Sequence, residues 1–362
     1  MASFPTFAEM KKTLLSLGIA LFLGTSPSTA SANDERADCE QRCGAKSRRL
    51  KEHTFLFPML QQSAFVATYF GIREGIARYN IPDVPVADLQ PFDVKLTGLQ
   101  QTLDLSVKLT DWLGVMGFGR ATLITGTTPS GLLSSGATLD LMGQIGGIVR
   151  LLHSENSGTQ LSVRANVGYD RGRQVTLLPF VNAILQTPAI TVEEIIGGRI
   201  SQLLFVPNRE VTLNGGIYVA QSLGPMFSLQ GSASAEYAWQ NRRPFDLELG
   251  GRFDQKTHAF RVFLAAAVAV DFYPETHVPL AVMGEFAFRT GHETRARLND
   301  RTLSDSTIGL GIYYSGRSNL QVGIGGTVTL NGDPYIAQDS DGTKTTGNPT
   351  LAFGQLILRY IW

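Results

Sequence analysis

The stretch Pro349-Thr350-Leu351-Ala352-Phe353-Gly354-Gln355-Leu356-Ile357-Leu358-Arg359-Tyr360-Ile361-Trp362 decides the fold. Leu356, Leu358, Tyr360 and Trp362 fall on alternate positions, with Gln355, Ile357, Arg359 and Ile361 between them. A strand sends successive side chains to opposite faces. One face is therefore continuously apolar and ends in two aromatics, while the other mixes apolar residues with a charge and an amide. Trp and Tyr favour the boundary between lipid and water, so a lipid-facing strand explains this ending better than an ordinary strand of a soluble sheet.

The N-terminus agrees. Lys11 and Lys12 precede an apolar run from Leu14 to Leu23, too short to span a bilayer as a helix. Small residues follow, ending in Ala30-Ser31-Ala32, the layout of a secretory signal peptide cleaved after Ala32. No later run reaches the roughly 18 to 20 apolar residues of a transmembrane helix. The terminal stretch resembles the C-terminal signal of Gram-negative outer-membrane β-barrels in its final aromatic, a Tyr two residues earlier, and apolar residues at alternate positions. That resemblance implies an outer-membrane protein with lipid around it, inserted by the barrel-assembly machinery through Leu356, Leu358, Tyr360 and Trp362.

Charged residues make up only 17% of the chain and glycines number 38, yet the hydrophobic fraction is an ordinary 43%. Alternation hides hydrophobicity in this way, whereas a helical membrane protein would show long runs. Net charge is +0. Removing Lys11, Lys12 and Glu9 with the signal peptide takes away one net positive charge and leaves −1. Nothing here points to nucleic acid or to a strongly charged ligand. Cys39 and Cys43 are the only cysteines. Export makes a local disulfide between them the first reading, and a bond to another chain or a free pair the alternatives. A zinc site would need two more ligands, and no haem-attachment pattern follows Cys43, so no metal or cofactor is expected.

Residues 33–61 read as a polar periplasmic segment, whose basic cluster from Lys46 to Lys51 faces solvent, tucks into a barrel mouth or touches anionic lipid. Residues 62–362 read as an all-β, transmembrane, antiparallel up-and-down barrel of about twelve strands. The expected strands are 63–79, 92–109, 114–125, 137–152, 159–171, 210–223, 227–240, 258–272, 280–290, 306–314, 320–330 and the terminal one. In the second, apolar parity switches between Leu96 and Leu103, which predicts a β-bulge near Gly98 to Gln101. Residues 173–208 carry apolar residues at helical spacing and predict a helical insertion in one long external loop. Long and short connections then alternate, as expected of a barrel with short periplasmic turns and long outer loops. Two assignments stay open: 65–79 also fits helical spacing, and 245–253 could be a strand.

Inward positions include Asp140, Arg150, Arg164, Glu236, Arg261, Asp271, Glu285 and Arg289. Charges of both signs inside a barrel either pair across strands or form a constriction that selects polar solutes. Arg164, Glu236, Arg261, Asp271, Glu285 and Arg289 are the lumen candidates, with Glu285, Arg289 and Arg261 expected to cluster. The helical loop could cap or plug the barrel, or line a hydrophobic path as in long-chain fatty-acid transporters, an architectural resemblance only. An enzyme is not expected. His292-Glu293 beside Arg295 is the only acid–base pairing worth naming, and a charged loop explains it far better. Passive passage of small solutes is the leading expectation. A plugged binding, adhesin or structural barrel is the alternative.

Overall fold

Strands that cross lipid must satisfy every backbone N–H and C=O against a neighbour, and only a closed sheet leaves no edge. The computed structural model describes residues 47–86, 89–126, 137–175, 205–243, 245–246, 251–296, 300–331 and 350–362. A two-residue hairpin comes first, β1 (Arg49–Leu50) with β2 (His53–Thr54). The wall then runs β3 (Tyr69–Val86), β4 (Leu89–Lys108), β5 (Leu113–Gly126), β6 (Ala137–Ser154), β7 (Thr159–Val175), β8 (Phe205–Ser222) and β9 (Phe227–Arg242). A second small hairpin, β10 (Phe245–Asp246) with β11 (Gly251–Arg252), stands apart from the wall sheet. The wall resumes with β12 (Gln255–Asp271), β13 (Leu280–Arg295), β14 (Arg301–Tyr314), β15 (Leu320–Leu330) and β16 (Thr350–Ile361). Each wall strand pairs antiparallel with its neighbour, and β16 closes on β3 from Ile361–Tyr69 to Thr350–Asn80, giving a closed barrel of twelve strands.

Alternation along each strand sets what faces where. Leu356, Leu358, Tyr360 and Trp362 all lie on the outer surface, with Leu356 54% exposed, while Gln355, Ile357, Arg359 and Ile361 are buried inside. Leu99, Leu141, Leu213, Leu264 and Ile324 continue the outer apolar band. Aromatics rim it at both ends: Trp112, Phe227, Tyr314 and the Tyr360–Trp362 pair at one, and the Tyr237–Trp239 pair at the other. Glu74 interrupts the band and accepts a hydrogen bond from Gln101 on the same outer surface.

The two ends differ. At one, the turn end, the connections 109–112, 155–158, 223–226, 272–279 and 315–319 are tight, and 272–279 holds the single-turn helix α1 (Tyr273–Thr276). The other, the loop end, is where the strands joined by the longer connections end. Long and short do not alternate strictly, because β3 and β4 run on to Val86 and Leu89, and β13 and β14 to Arg295 and Arg301. Pro82 and Pro85 do not end β3 as a turn. They sit where its pairing with β4 slips, between Ile81, Val84 and Val86, and irregular pairing tolerates a missing N–H.

Other expectations need correction. No bulge occurs at 98–101, since β4 pairs without a shift with β5 from Leu96 to Lys108. The parity switch arises because Leu96 faces the lumen and Leu99 to Leu105 face outward. The first wall strand starts at Tyr69, because 63–68 are not in the wall. The run 245–253 contributes the small hairpin β10–β11. Strands β7 and β8 extend into the expected insertion, leaving 176–204, with its helical spacing, outside the described residues. The signal peptide, Cys39 and Cys43 also lie outside them.

Ile145 stands at the middle of β6, 66% exposed on the outer face. Ile145→Lys is expected to destabilise the barrel by about 2–4 kcal/mol in urea unfolding from lipid vesicles, as for a cation at the bilayer midplane. Gln144→Lys, one residue away but facing inward, should cost less than half as much.

Candidate functional site: a lumen closed by the chain's own segment

Eight strands close around a space that wall side chains fill, whereas sixteen to eighteen leave an aqueous channel. Twelve lie between, so the wall cannot fill the interior alone. Residues 47–68 occupy it at the turn end. Leu50, Phe55, Leu56, Phe57, Phe65 and Ala67 are each at most 3% exposed. The segment enters beside the turns, where Arg48 donates to the Ser318 carbonyl at 2.7 Å and Lys51 N–H donates to Glu155. It rises to Leu60–Gln62 and returns to Thr68, whose carbonyl accepts from Trp362 N–H at 3.0 Å. Its apex sits level with Glu285 and Arg164. Both lie near the start of their strands, about 13 Å above the turn end at ~3.3 Å per residue and a tilt of ~40°.

The plug is not a strand of the sheet, so its buried backbone groups need other partners. Inward side chains supply them. Gln321 accepts from Phe57 N–H and donates to Phe57 C=O, both at 3.0 Å. Arg359 donates to the same carbonyl at 3.0 Å, and Gln230 donates to Leu56 C=O at 2.8 Å. The Glu285 carboxylate accepts from the N–H groups of Met59 and Leu60, each at 2.8 Å. Across the lumen, Gln160 and Ser162 donate to Ala64 C=O, and Arg164 donates to Ser63 C=O and to Gln62 Oε1.

Apolar contacts hold both flanks. Phe55, Phe57 and Phe65 pack with Tyr218, Ala220 and Ile361. Leu56 and Met59 pack with Ala267, Ala269, Ala281, Met283, Tyr313 and Ile357. The inner wall offers glycine where the plug comes closest: a Cβ on Gly325 would strike Met59 Sδ. Gly71 makes room for wall side chains instead, since the Asp104 carboxylate and the Arg359 side chain lie across it. Those two form a buried ion pair at 3.0 Å, with Arg73 3.9 Å from the same oxygen.

The six lumen candidates all lie on the inner face, but at different jobs. Arg164 and Glu285 hold the plug. Arg261 bridges Glu236 at 2.9 Å, Glu210 at 3.2 Å and Glu293 at 3.3 Å. Arg289 pairs with Asp305. Asp271, at the turn end, accepts from Tyr273 N–H. The expected Glu285–Arg289–Arg261 cluster does not form, because the β12–β13 register sets Arg261 opposite Gly291 and Glu285 opposite Ala267. His292 and Glu293 point to opposite faces, His292 outward and Glu293 into the Arg261 cluster, so they make no joint acid–base site. Asp140 joins Asp170 around Arg120 at 3.9 and 3.8 Å.

Sequence reading missed the plug as such. One signal was present: Leu264-Ala265-Ala266-Ala267-Val268-Ala269-Val270 in β12 is apolar on both faces. A water-lined lumen would have placed polar residues at 265, 267 and 269. Gln230, Gln321 and Arg359 carried no signal of their own, since nothing in their spacing names a carbonyl of Leu56 or Phe57.

No protein-family model matches this sequence, and no curated protein matches it. In shape the chain is similar to the translocator domain of autotransporter NalP from Neisseria meningitidis, with a TM-score of 0.50 and 7% identity over 91% of this chain and 96% of that one. The fold is that of an outer-membrane β-barrel. Other outer-membrane barrels among the similar structures are the transport unit of the autotransporter AIDA-I from Escherichia coli (TM-score 0.45, 12% identity, 89% and 99% covered) and the Pseudomonas putida toluene transporter TodX (0.37, 9%, 82% and 89%).

Glu285→Ala removes the acceptor of two plug amides. Hydrogen bonds to charged groups contribute roughly 1.5–3 kcal/mol, so amide exchange at Met59 and Leu60 should accelerate about 10- to 100-fold, read by hydrogen–deuterium exchange with mass spectrometry. His53 gives a pH dependence. Its Nδ1 faces the Pro225 carbonyl at 2.8 Å and must donate, and burial lowers its pKa below the usual value. The undocked hairpin therefore binds more protons than the docked one as pH falls below ~6.5. Docking of 47–54 should weaken with acid and be strongest above that pH. Exchange at the hairpin amides from pH 8 to pH 5 checks this, and His53→Phe should flatten the profile.

Proposed function

We propose that this chain is an outer-membrane channel for small solutes, closed at rest by its own residues 47–68 and opened when that segment withdraws. The turn end is then the periplasmic end and the loop end the cell surface. The observation that carries the reading is the way the plug is held. Its backbone is bonded by side chains that project from the wall, not by a sheet ladder, so it can leave without breaking a strand pair. The wall would then expose the polar Gln160, Ser162, Gln230, Glu285, Gln321 and Arg359 beside the apolar strip of Ala267, Ala269, Ala281 and Met283, a mixed lining whose polar side suits hydrated solutes. From the loop end, a cavity of about 400 Å³ between Tyr79, Phe263, Arg289 and Asp305 leads down to Leu60 at the plug apex. The reading is of a transport protein and not an enzyme.

One observation favours a second reading, a barrel plugged for good that serves as a binding or structural component. The apolar packing of Phe55, Phe57 and Phe65 makes the plug resemble a core more than a latch.

Planar-bilayer recording separates the two. The intact chain should be quiet with brief openings, and a variant with residues 53–66 replaced by a short Gly/Ser linker should conduct steadily. Met59→Cys with Gly325→Cys should lock the plug and silence openings until reductant is added. A linker variant that stays silent, while heat-modifiable gel mobility shows it folded, would sink the channel reading. Openings absent from the intact chain with or without the lock would favour the permanent plug.

A further inference from the structure

Beside the plug apex lies a cavity of about 220 Å³, walled by β3 to β7 and β16 on one side and by residues 57–63 on the other. Its charge is uneven. The guanidinium groups of Arg73, Arg164 and Arg359 line it, opposed there only by the Asp104 carboxylate; Glu285 spends its oxygens on the Met59 and Leu60 amides across the plug. Arg164 is 3% exposed, and the groups it bonds to or stacks on are neutral: the Ser63 carbonyl, Gln62, Met116 Sδ and the Tyr218 ring at 5.4 Å. A buried cation with neutral neighbours carries an uncompensated desolvation cost.

Hydrogen-bonding capacity is left over as well. Arg73 Nε, Arg164 Nε, both amide atoms of Gln61, Asn166 Oδ1 and Asp104 Oδ1 are buried and make no hydrogen bond among the described residues, although Arg73 Nε stands 3.9 Å from Asp104 Oδ2. Both donors and acceptors converge on one space. Phe57, Phe118 and Met116 give the cavity an apolar and aromatic side, and Arg73 stacks over Phe118 at 5.9 Å. The volume falls below the roughly 300–1,000 Å³ that suits drug-sized ligands.

From this cavity we propose a binding site for a small organic carboxylate, its anionic group between Arg73 and Arg164 and its apolar body against Phe57, Phe118 and Met116. The proposal rests on the plugged-barrel reading, because residues 57–63 form half the site. It also couples the ligand to the plug. Arg73 donates to Met59 C=O at 3.3 Å and Arg164 to Ser63 C=O, so a carboxylate that draws these guanidinium groups competes for two of the plug's tethers.

The probe is 4-hydroxybenzoate, titrated calorimetrically into the folded full chain in detergent. Saturable binding is expected, at least tenfold tighter than 4-hydroxybenzamide, and weakened tenfold or more by Arg73→Gln and by Arg164→Gln. Because those two also tether the plug, Phe118→Trp serves as a second test: it fills the cavity without removing a charge and should abolish binding. Crystals soaked in 4-bromobenzoate should place bromine between Phe57 and Phe118. No binding to the intact chain at millimolar concentration overturns the proposal. So does equal affinity for the amide or for inorganic phosphate, or binding that survives Phe118→Trp. Calorimetry needs no open pore, so failure here leaves the conductance result standing, and a silent pore leaves this one standing.

Discussion

Everything in this molecule depends on where backbone hydrogen bonds go when water is excluded. In the wall the answer is the sheet itself. Each strand pairs on both sides, and the β16–β3 pairing removes the last edge. Inside the lumen the same requirement meets a different solution, since residues 55–64 have no strand beside them. Inward side chains take the place of a ladder: Gln321 answers Phe57 in both directions, and Glu285 accepts two successive amides. A loop may not normally run through a buried space, because its peptide groups would be left unsatisfied. This one can because the wall was built with partners at the right heights.

The strand number makes the interior a problem to be filled, and the division of the lumen follows. Near the turn end the inner wall is small and apolar, with Ala267, Ala269, Ala281 and Ala220 receiving Phe and Met side chains. Toward the loop end it turns charged, and the charges pair across strands, as Arg261 does with carboxylates from β8, β9 and β13. Between the two zones the buried guanidinium groups of Arg73, Arg164 and Arg359 outnumber the carboxylates facing them. That boundary is where plug, wall and unsatisfied polar atoms coincide.

Wall and plug are bonded in two different ways. The sheet is continuous. The plug is bonded through side chains, and both its ends lie at the turn end. Arg48 is held charged in a buried position, its pKa lowered by burial to about 10 and supported by Asp271. It fastens the entry of the segment to Ser318. The same burial pushes the pKa of His53, close by, below its ordinary value.

The sequence by itself determined the class of fold, because alternation is a local property. Leu356 to Trp362, and the apolar and polar parities of β7 and β9, fix which face of a strand can touch lipid without reference to any other part of the chain. The same logic placed Arg164, Glu236, Arg261, Glu285 and Arg289 on the inner face. What it left open was everything that depends on register and on non-local packing. Whether Glu285 meets Arg289 or a plug amide is set by how β12, β13 and β14 slide past one another, and strand spacing carries no such information. In sequence, 54–60 is an apolar stretch broken by Pro58, and 63–68 reads as the start of the first wall strand. Only the closed wall around them, too wide for its own side chains to fill and lined there with alanine and glycine, decided that they belong inside the barrel.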